Sequence, residues 1–226
     1  DYNSNIVTCT RQFKYSIQNE NSIDMVLSVN GIPIVALELK NQLTGQSVAN
    51  AKKQFMYDRN PKELCFQFDK RFLVYFAVDL NEIAMTTRLA GKETFFLPFN
   101  QGSNGAGEVG RAGNPENPNG YTTSYLWEKV LTKDNLLELI HKFIQRVEEE
   151  KIVYKNGVET KKKSIKLIFP RYHQLDVVTK LIADVKENGS GKNYLIQHSA
   201  GSGKRNSIAW LAYKLSELHD KNDEPV

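Results

Sequence analysis

The stretch SIDMVLSVNGIPIVALELK, residues 22–40, carries two acids and a lysine among apolar neighbours: Asp24, Glu38 and Lys40. Two carboxylates held close together repel, and one keeps its proton unless a cation neutralises them. Mg²⁺ suits such an oxygen-lined site because it retains several waters and takes phosphate oxygens. An amine beside it can orient or deprotonate an attacking water and stabilise charge building on phosphorus. The chemistry this set would perform is phosphodiester hydrolysis. Three charges among Met25, Val26, Leu27, Val35, Ala36, Leu37 and Leu39 are costly to bury unless they serve a site. The plainer reading is a hairpin with a surface salt bridge.

Register decides whether the three meet. Asn30-Gly31 is a strong hairpin dipeptide. A two-residue turn there sets Asp24 opposite Leu37 and sends Glu38 to the other face. A three-residue loop of Asn30, Gly31 and Ile32, or an equivalent bulge, sets Asp24 opposite Glu38, with Cβ atoms about 5 Å apart. Lys40, two residues on, then shares their face. The functional reading expects the second arrangement.

A second phosphate-related pattern lies at HSAGSGKRNS, residues 198–207. The loop G-x-x-x-x-G-K-[ST] places a hydroxyl after its lysine to hold Mg²⁺. Here Arg205 follows Lys204, and His198 stands at the first glycine position. GAGEVG, within residues 100–120, matches G-x-G-x-x-G but lacks the strand before it and the helix after it that a dinucleotide site requires. A glycine-rich surface loop is expected instead.

The elements that must position these residues can be read from periodicity. Residues 11–18, 22–29 and 33–40 read as strands, QSVANAKKQFMYDRN as a helix stopped near Pro61, and LCFQF and RFLVYFAVDL as two further strands, the last apolar enough to be central. Residues 100–120 hold six glycines and two prolines, a flexible loop. Leu136, Leu137, Ile140, Phe143, Ile144 and Val147 recur at helical steps. EEEKIVYKNGVETKKKS reads as a charged linker whose lysines 161–163 could touch phosphates. From Phe169 the order helix, turn, strand NYLIQH, loop, helix is that of an opening P-loop domain. The expected division is a nuclease domain at 1–124, a helical connector and linker at 125–168, and a truncated motor domain at 169–226.

With 226 residues, 40% hydrophobic and 25% charged, the composition is that of an ordinary globular chain. A net charge of +4 is compatible with nucleic acid without demanding it. Cys9 and Cys65 are the only cysteines, which argues against a disulfide scaffold or a zinc site and for a reducing, cytoplasmic setting. No run approaches the roughly 20 apolar residues of a membrane span, and the polar start has no signal-peptide pattern. Because the chain starts at Asp1, a piece of a longer protein is expected.

SIDMVLSVNGIPIVALELKNQ resembles the PD-(D/E)xK nuclease core, specifically that of the restriction (R) subunits of type I restriction enzymes. TTRLAGKETFFLPFNQG, LLELIHKFI, FPRYHQLDVV, and NYLIQHSAGSGK with NSIAWLAYKLSEL resemble further stretches of the same subunits, in the family's order and over nearly the whole chain. The resemblance implies an α/β fold: a mixed sheet flanked by helices, then the first part of a RecA-like P-loop domain.

It assigns Asp24 and Glu38, with Leu39, to a metal-binding set and Lys40 to the catalytic lysine; Ile23 stands where the motif's name has proline. Gln54 matches a glutamine that helps position the site in RecB-like nucleases. Its partner tyrosine usually follows by four residues, where this chain has Asp58; Tyr57, three residues on, would substitute, since both spacings share a helix side. On the residues alone, Gln54 and Tyr57 equally suit an amphipathic surface. Gly201, Ser202, Gly203 and Lys204 match the ATP-phosphate loop of a superfamily 2 translocase. Gln174 matches an adenine-reading glutamine, or is a plain helix-start residue. Arg205, at the Mg²⁺-hydroxyl position, would impair ATP turnover, so weak ATP binding is expected.

The implied function is a Mg²⁺-dependent endonuclease cleaving double-stranded DNA, a type I site-specific deoxyribonuclease subunit working with specificity and methylation subunits and without a membrane. The alternatives are a catalytically weak DNA-clamping or assembly module and a nucleotide-binding switch.

Overall fold

Aliphatic and β-branched side chains crowd residues 22–39, and these residues form the middle of a sheet. The computed structural model describes residues 2–155 and 158–219. The chain divides into two compact units, residues 1–98 with 144–169 and residues 99–143 with 170–226.

The first unit carries a six-stranded mixed sheet of β1 (Val7–Lys14), β2 (Ser22–Val29), β3 (Ile32–Leu39), β4 (Val74–Val78), β5 (Ile83–Thr86) and β6 (Leu97–Pro98), whose neighbours follow chain order. Only β3 and β4 pair in parallel, and a parallel pair needs a crossover. The crossover holds α1 (Val48–Lys53), continued by a π-helical turn at Gln54–Asp58. Two local devices start the helix. Asn50 Oδ1 accepts the Ser47 N–H at 2.9 Å, and Asp79, just past β4, accepts the Val48 N–H at 2.7 Å. A carboxylate there also favours the helix N-terminus electrostatically.

Strand β4, Val-Tyr-Phe-Ala-Val, is buried at every position, as its unbroken apolar run suggests. Val26, Ala36 and Ala77 of the sheet pack with Val48, Ala51 and Phe55 of the crossover and with Phe66, Phe72 and Tyr75 in one cluster. LCFQF forms turns rather than a strand. The N–H groups of Phe66 and Gln67 both donate to the Glu63 carbonyl, and the Phe66 ring, 4.6 Å from the Tyr15 ring, anchors the turn in the core.

The charged run expected as a linker is a long antiparallel hairpin, β7 (Gln145–Lys155) and β8 (Val158–Ile168). Its base is held by the Thr87 hydroxyl donating to the Leu167 carbonyl at 2.9 Å and by Arg146 on Asp69 at 2.7 Å.

The second unit contains α2 (Lys133–Glu138) with a π-helical turn at Leu139–Phe143, then α3 (Tyr172–Asn188) and α4 (Lys204–Leu215). Trp210 is fully buried and donates to the Phe143 carbonyl at 2.8 Å. Residues 100–120 contain no helix or strand, matching their composition. The strand expected at NYLIQH does not form. A central parallel strand needs neighbours, and among the described residues this unit has no other strand. Leu195 is accordingly 95% exposed. The RecA-like opening thus lacks its strand here. Among the described residues no helix is long and apolar enough to cross a membrane.

Candidate active site

The hairpin reaches the required register by the less direct route. Val29 pairs with Ile32 around a two-residue turn, and Asn30 (φ 51°) and Gly31 (φ 81°) both adopt the left-handed backbone of such turns. By itself that turn would set Asp24 opposite Leu37. A bulge between Leu27 and Ser28 then shifts the ladder by one, so that Leu27 faces Val35 and Met25 faces Leu37. Continued one step, this register sets Asp24 across from Glu38. The loop is therefore shorter than the three-residue expectation, and the bulge supplies the missing residue.

Residues 24, 26, 36, 38 and 40 share one face by alternation, the face that α1 covers with Val48, Ala51 and Phe55. The acids occupy the end of it. Asp24 Oδ2 accepts the Leu39 N–H at 2.8 Å and lies 3.8 Å from Lys40 Nζ. Its Oδ1 accepts from Gln12 Nε2 at 3.2 Å. Glu38 is fully buried. Its Oε1 receives Arg59 Nε at 3.0 Å and Nη2 at 2.6 Å, while its Oε2 is buried without a hydrogen-bond partner. Burial pushes the Glu38 carboxyl up to about 7; Arg59 pulls it down, and the Asp24 charge pushes it further up.

The resemblance implies Mg²⁺ at this pair. Arg59 engages only Glu38 Oε1, so Oε2 is left beside a second carboxylate with no hydrogen-bond partner, and one or two carboxylates plus waters are what Mg²⁺ commonly uses. The residues fit. Asp24 and Glu38 would hold the ion, and Leu39 contributes an N–H that orients Asp24. Among the described residues no group of three or more His, Cys, Asp or Glu side chains is placed to hold a metal, so any ion here would rest on the two acids and solvent.

Neither Gln54 nor Tyr57 hydrogen-bonds to the pair. Both lie in the π-helical turn, whose i→i+5 bonding widens the helix and breaks the three-or-four-residue face rule. Gln54 is half-buried without a hydrogen bond to either acid, and Tyr57 is 69% exposed. The residue the crossover does deliver is Arg59, immediately after that turn. Besides clamping Glu38, it donates to the Ser22 carbonyl at 2.8 Å and to the Tyr15 hydroxyl at 3.3 Å, and lies over the Tyr15 ring. Sequence spacing gave no link between residues 38 and 59. The available signal was a basic residue where the crossover helix returns toward the sheet end.

In the second unit Gly201 (φ 73°) and Gly203 (φ 84°) shape the turn into α4. Gln174 is buried; its Nε2 donates to the Gly203 carbonyl at 2.8 Å, and its Oε1 accepts the Arg171 N–H at 2.9 Å. A Cβ at residue 203 would stand 2.4 Å from that amide nitrogen and displace the Gln174 amide, and the φ of 84° strains any side chain there. Lys204 Nζ donates to the loop's own carbonyls, His198 at 2.7 Å and Ser199 at 3.4 Å. Arg205 is exposed on the first turn of α4. With its ammonium turned inward and no hydroxyl at position 205, the loop does not fit a Mg²⁺-nucleotide as it stands. Ser202 is buried in this loop.

A mixed sheet with a covered acid hairpin and a helical crossover describes the first unit. Residues 1–94, which include the acid pair, Lys40 and Arg59, match the family model described as type I restriction enzyme R protein N terminus. Comparisons with curated proteins and with solved structures gave no match.

Proposed function

We infer that the first unit is the nuclease of a type I restriction R subunit, cleaving double-stranded DNA with Mg²⁺ held by Asp24 and Glu38. The observation that carries this reading is Glu38 Oε2, buried and unpartnered beside a second acid. When bound, Mg²⁺ would supply charge neutralisation on phosphate oxygens and a more acidic water.

The chain's own residues do the rest. The Leu39 N–H and Gln12 amide hold Asp24 from two sides, Arg59 holds Glu38, and the Lys40 ammonium, 3.8 Å from Asp24, is the cation available to a developing phosphorane charge. DNA contacts from this chain are expected at phosphates and to weaken with salt. Sequence reading belongs to the specificity and methylation partners.

A plasmid-cleavage assay with Mg²⁺, comparing Glu38→Ala and Lys40→Ala with the parent, tests the reading; cleavage that survives both substitutions eliminates it. A non-catalytic DNA-clamping or assembly role is favoured by one observation, that neither Gln54 nor Tyr57 hydrogen-bonds to the acids. DNA binding without Mg²⁺-dependent cleavage would select it. Nucleotide binding by residues 198–205 is expected to be weak, and an ATP titration measures it.

A further inference from the structure

Strands β1 and β2 pair in constant register from Val7 with Val29 to Lys14 with Ser22, with one interruption. Gln12, the residue that would face Asp24, is left out of the ladder and has φ 49°. Three non-glycine residues among those described have positive φ: Gln12, Asn30 and Asp69. Asn30 and Asp69 are in turns, where short polar side chains tolerate this backbone. Gln12 alone lies inside a strand, where the conformation costs free energy and persists only if its surroundings impose it.

The side chain that this backbone presents is fixed at both ends. Ser22 Oγ donates to Gln12 Oε1 at 2.6 Å, which sets the amide so that its NH₂ faces Asp24 Oδ1 at 3.2 Å. Strained backbone at an otherwise regular strand position, coupled to an oriented donor on a site acid, is the signature of a group held for function at the expense of stability.

We propose that Gln12 is a positioning residue of the acid pair: its strained backbone and Ser22-oriented amide fix the Asp24 carboxylate for the cation. This rests on the nuclease reading above. Partners that orient a metal-binding carboxylate typically change metal affinity or activity by 10–100-fold when removed.

Two variants separate positioning from simple support of the strand. Gln12→Gly relieves the backbone strain and removes the amide. Gln12→Asn keeps an amide and tolerates positive φ, but is one methylene too short to reach Asp24. For both, the thermal midpoint of the full chain is expected at or above the parent value. The Mn²⁺ midpoint by titration calorimetry should rise about tenfold, and Mg²⁺-dependent cleavage should fall about tenfold or more.

Mn²⁺ binding and cleavage within about twofold of the parent, or a lowered thermal midpoint in Gln12→Gly, overturns the positioning role. Lys40→Ala in parallel tells the two failures apart. An active parent silenced by Lys40→Ala but indifferent at residue 12 sinks only this inference. A parent that neither binds Mn²⁺ nor cleaves removes the nuclease reading and this inference with it.

Discussion

Asp24 and Glu38 lie on strands that are each paired on both sides, β2 between β1 and β3, and β3 between β2 and β4. Residues 198–205 instead follow a segment that joins no sheet among the described residues, and their lysine is spent on the loop's own carbonyls. Both stretches spell phosphate chemistry. In the first, a buried carboxylate oxygen is left short of a partner; in the second, the cation is held by loop carbonyls, and the buried atoms left without a partner are His198 Nδ1, Ser202 Oγ and Ser207 Oγ, none of them a charged oxygen.

The largest contrast should appear in cleavage. Glu38→Ala or Lys40→Ala is expected to lower Mg²⁺-dependent plasmid cleavage by about 100-fold or more, and Lys204→Ala to change it far less. Equal losses would erase the distinction between the two regions.

Stability sharpens the same contrast. Arg59→Met removes the partner of buried Glu38 and should cost up to about 3–5 kcal/mol in urea unfolding well above pH 7, where Glu38 is charged, and less at lower pH, where it takes up a proton; the loss should be largely recovered in Arg59→Met/Glu38→Met, because an apolar pair replaces a buried ion pair well. Lys204→Met, at an exposed position, should stay within about 0.5 kcal/mol. A small effect at Arg59 would mean that Glu38 finds another partner.

The pH dependence of the metal-free protein should have opposite signs in the two regions. Glu38 titrates near 4.5 unfolded and about 7 folded, so the folded state binds more protons between those values. Its contribution to stability is present at pH 4.5 and lost as pH rises toward 7. His198 is pushed below its ordinary 6.5, chiefly by burial, then by His173 and Lys204. Its contribution is full above pH 6.5 and lost as pH falls through the lowered value. Urea midpoints of Glu38→Gln against the parent across this range isolate the first slope; an unchanged profile would refute it.

The smallest effect is expected from Arg205→Ser. Restoring a hydroxyl without the missing strand should leave the ATP dissociation constant weaker than about 1 mM, a binding energy below about 4 kcal/mol. Tight Mg²⁺-dependent binding would show that the residue, and not the scaffold, is the obstacle.

The acid pair was legible because alternation and Asn30-Gly31 are local signals, and only two registers had to be weighed. A bulge was one of the two ways to the expected register, but its place was not legible, since nothing in the apolar run 32–37 marks an extra residue. Arg59 and Gln12 escaped because each reaches the acids from another element, through a crossover in one case and an adjacent strand in the other. The β7–β8 hairpin was read as a linker on its charge. Paired, those charges oppose one another, as in Lys166 with Glu149 at 2.7 Å and Lys161 with Glu150 at 3.7 Å, and cross-strand partners of opposite sign support a ladder. Asn156-Gly157, the same dipeptide as at 30–31, was the overlooked cue. LCFQF reads as a strand for the opposite reason: its apolar residues serve turns anchored by Phe66 rather than a strand.

The most direct measurement of the central claim is the anomalous difference map of a crystal soaked in Mn²⁺. The account predicts a peak about 2 Å from Glu38 Oε2 and from an Asp24 carboxylate oxygen, lost in Glu38→Ala. A saturating soak with no density between the two acids, in a protein that still cleaves DNA, would contradict it.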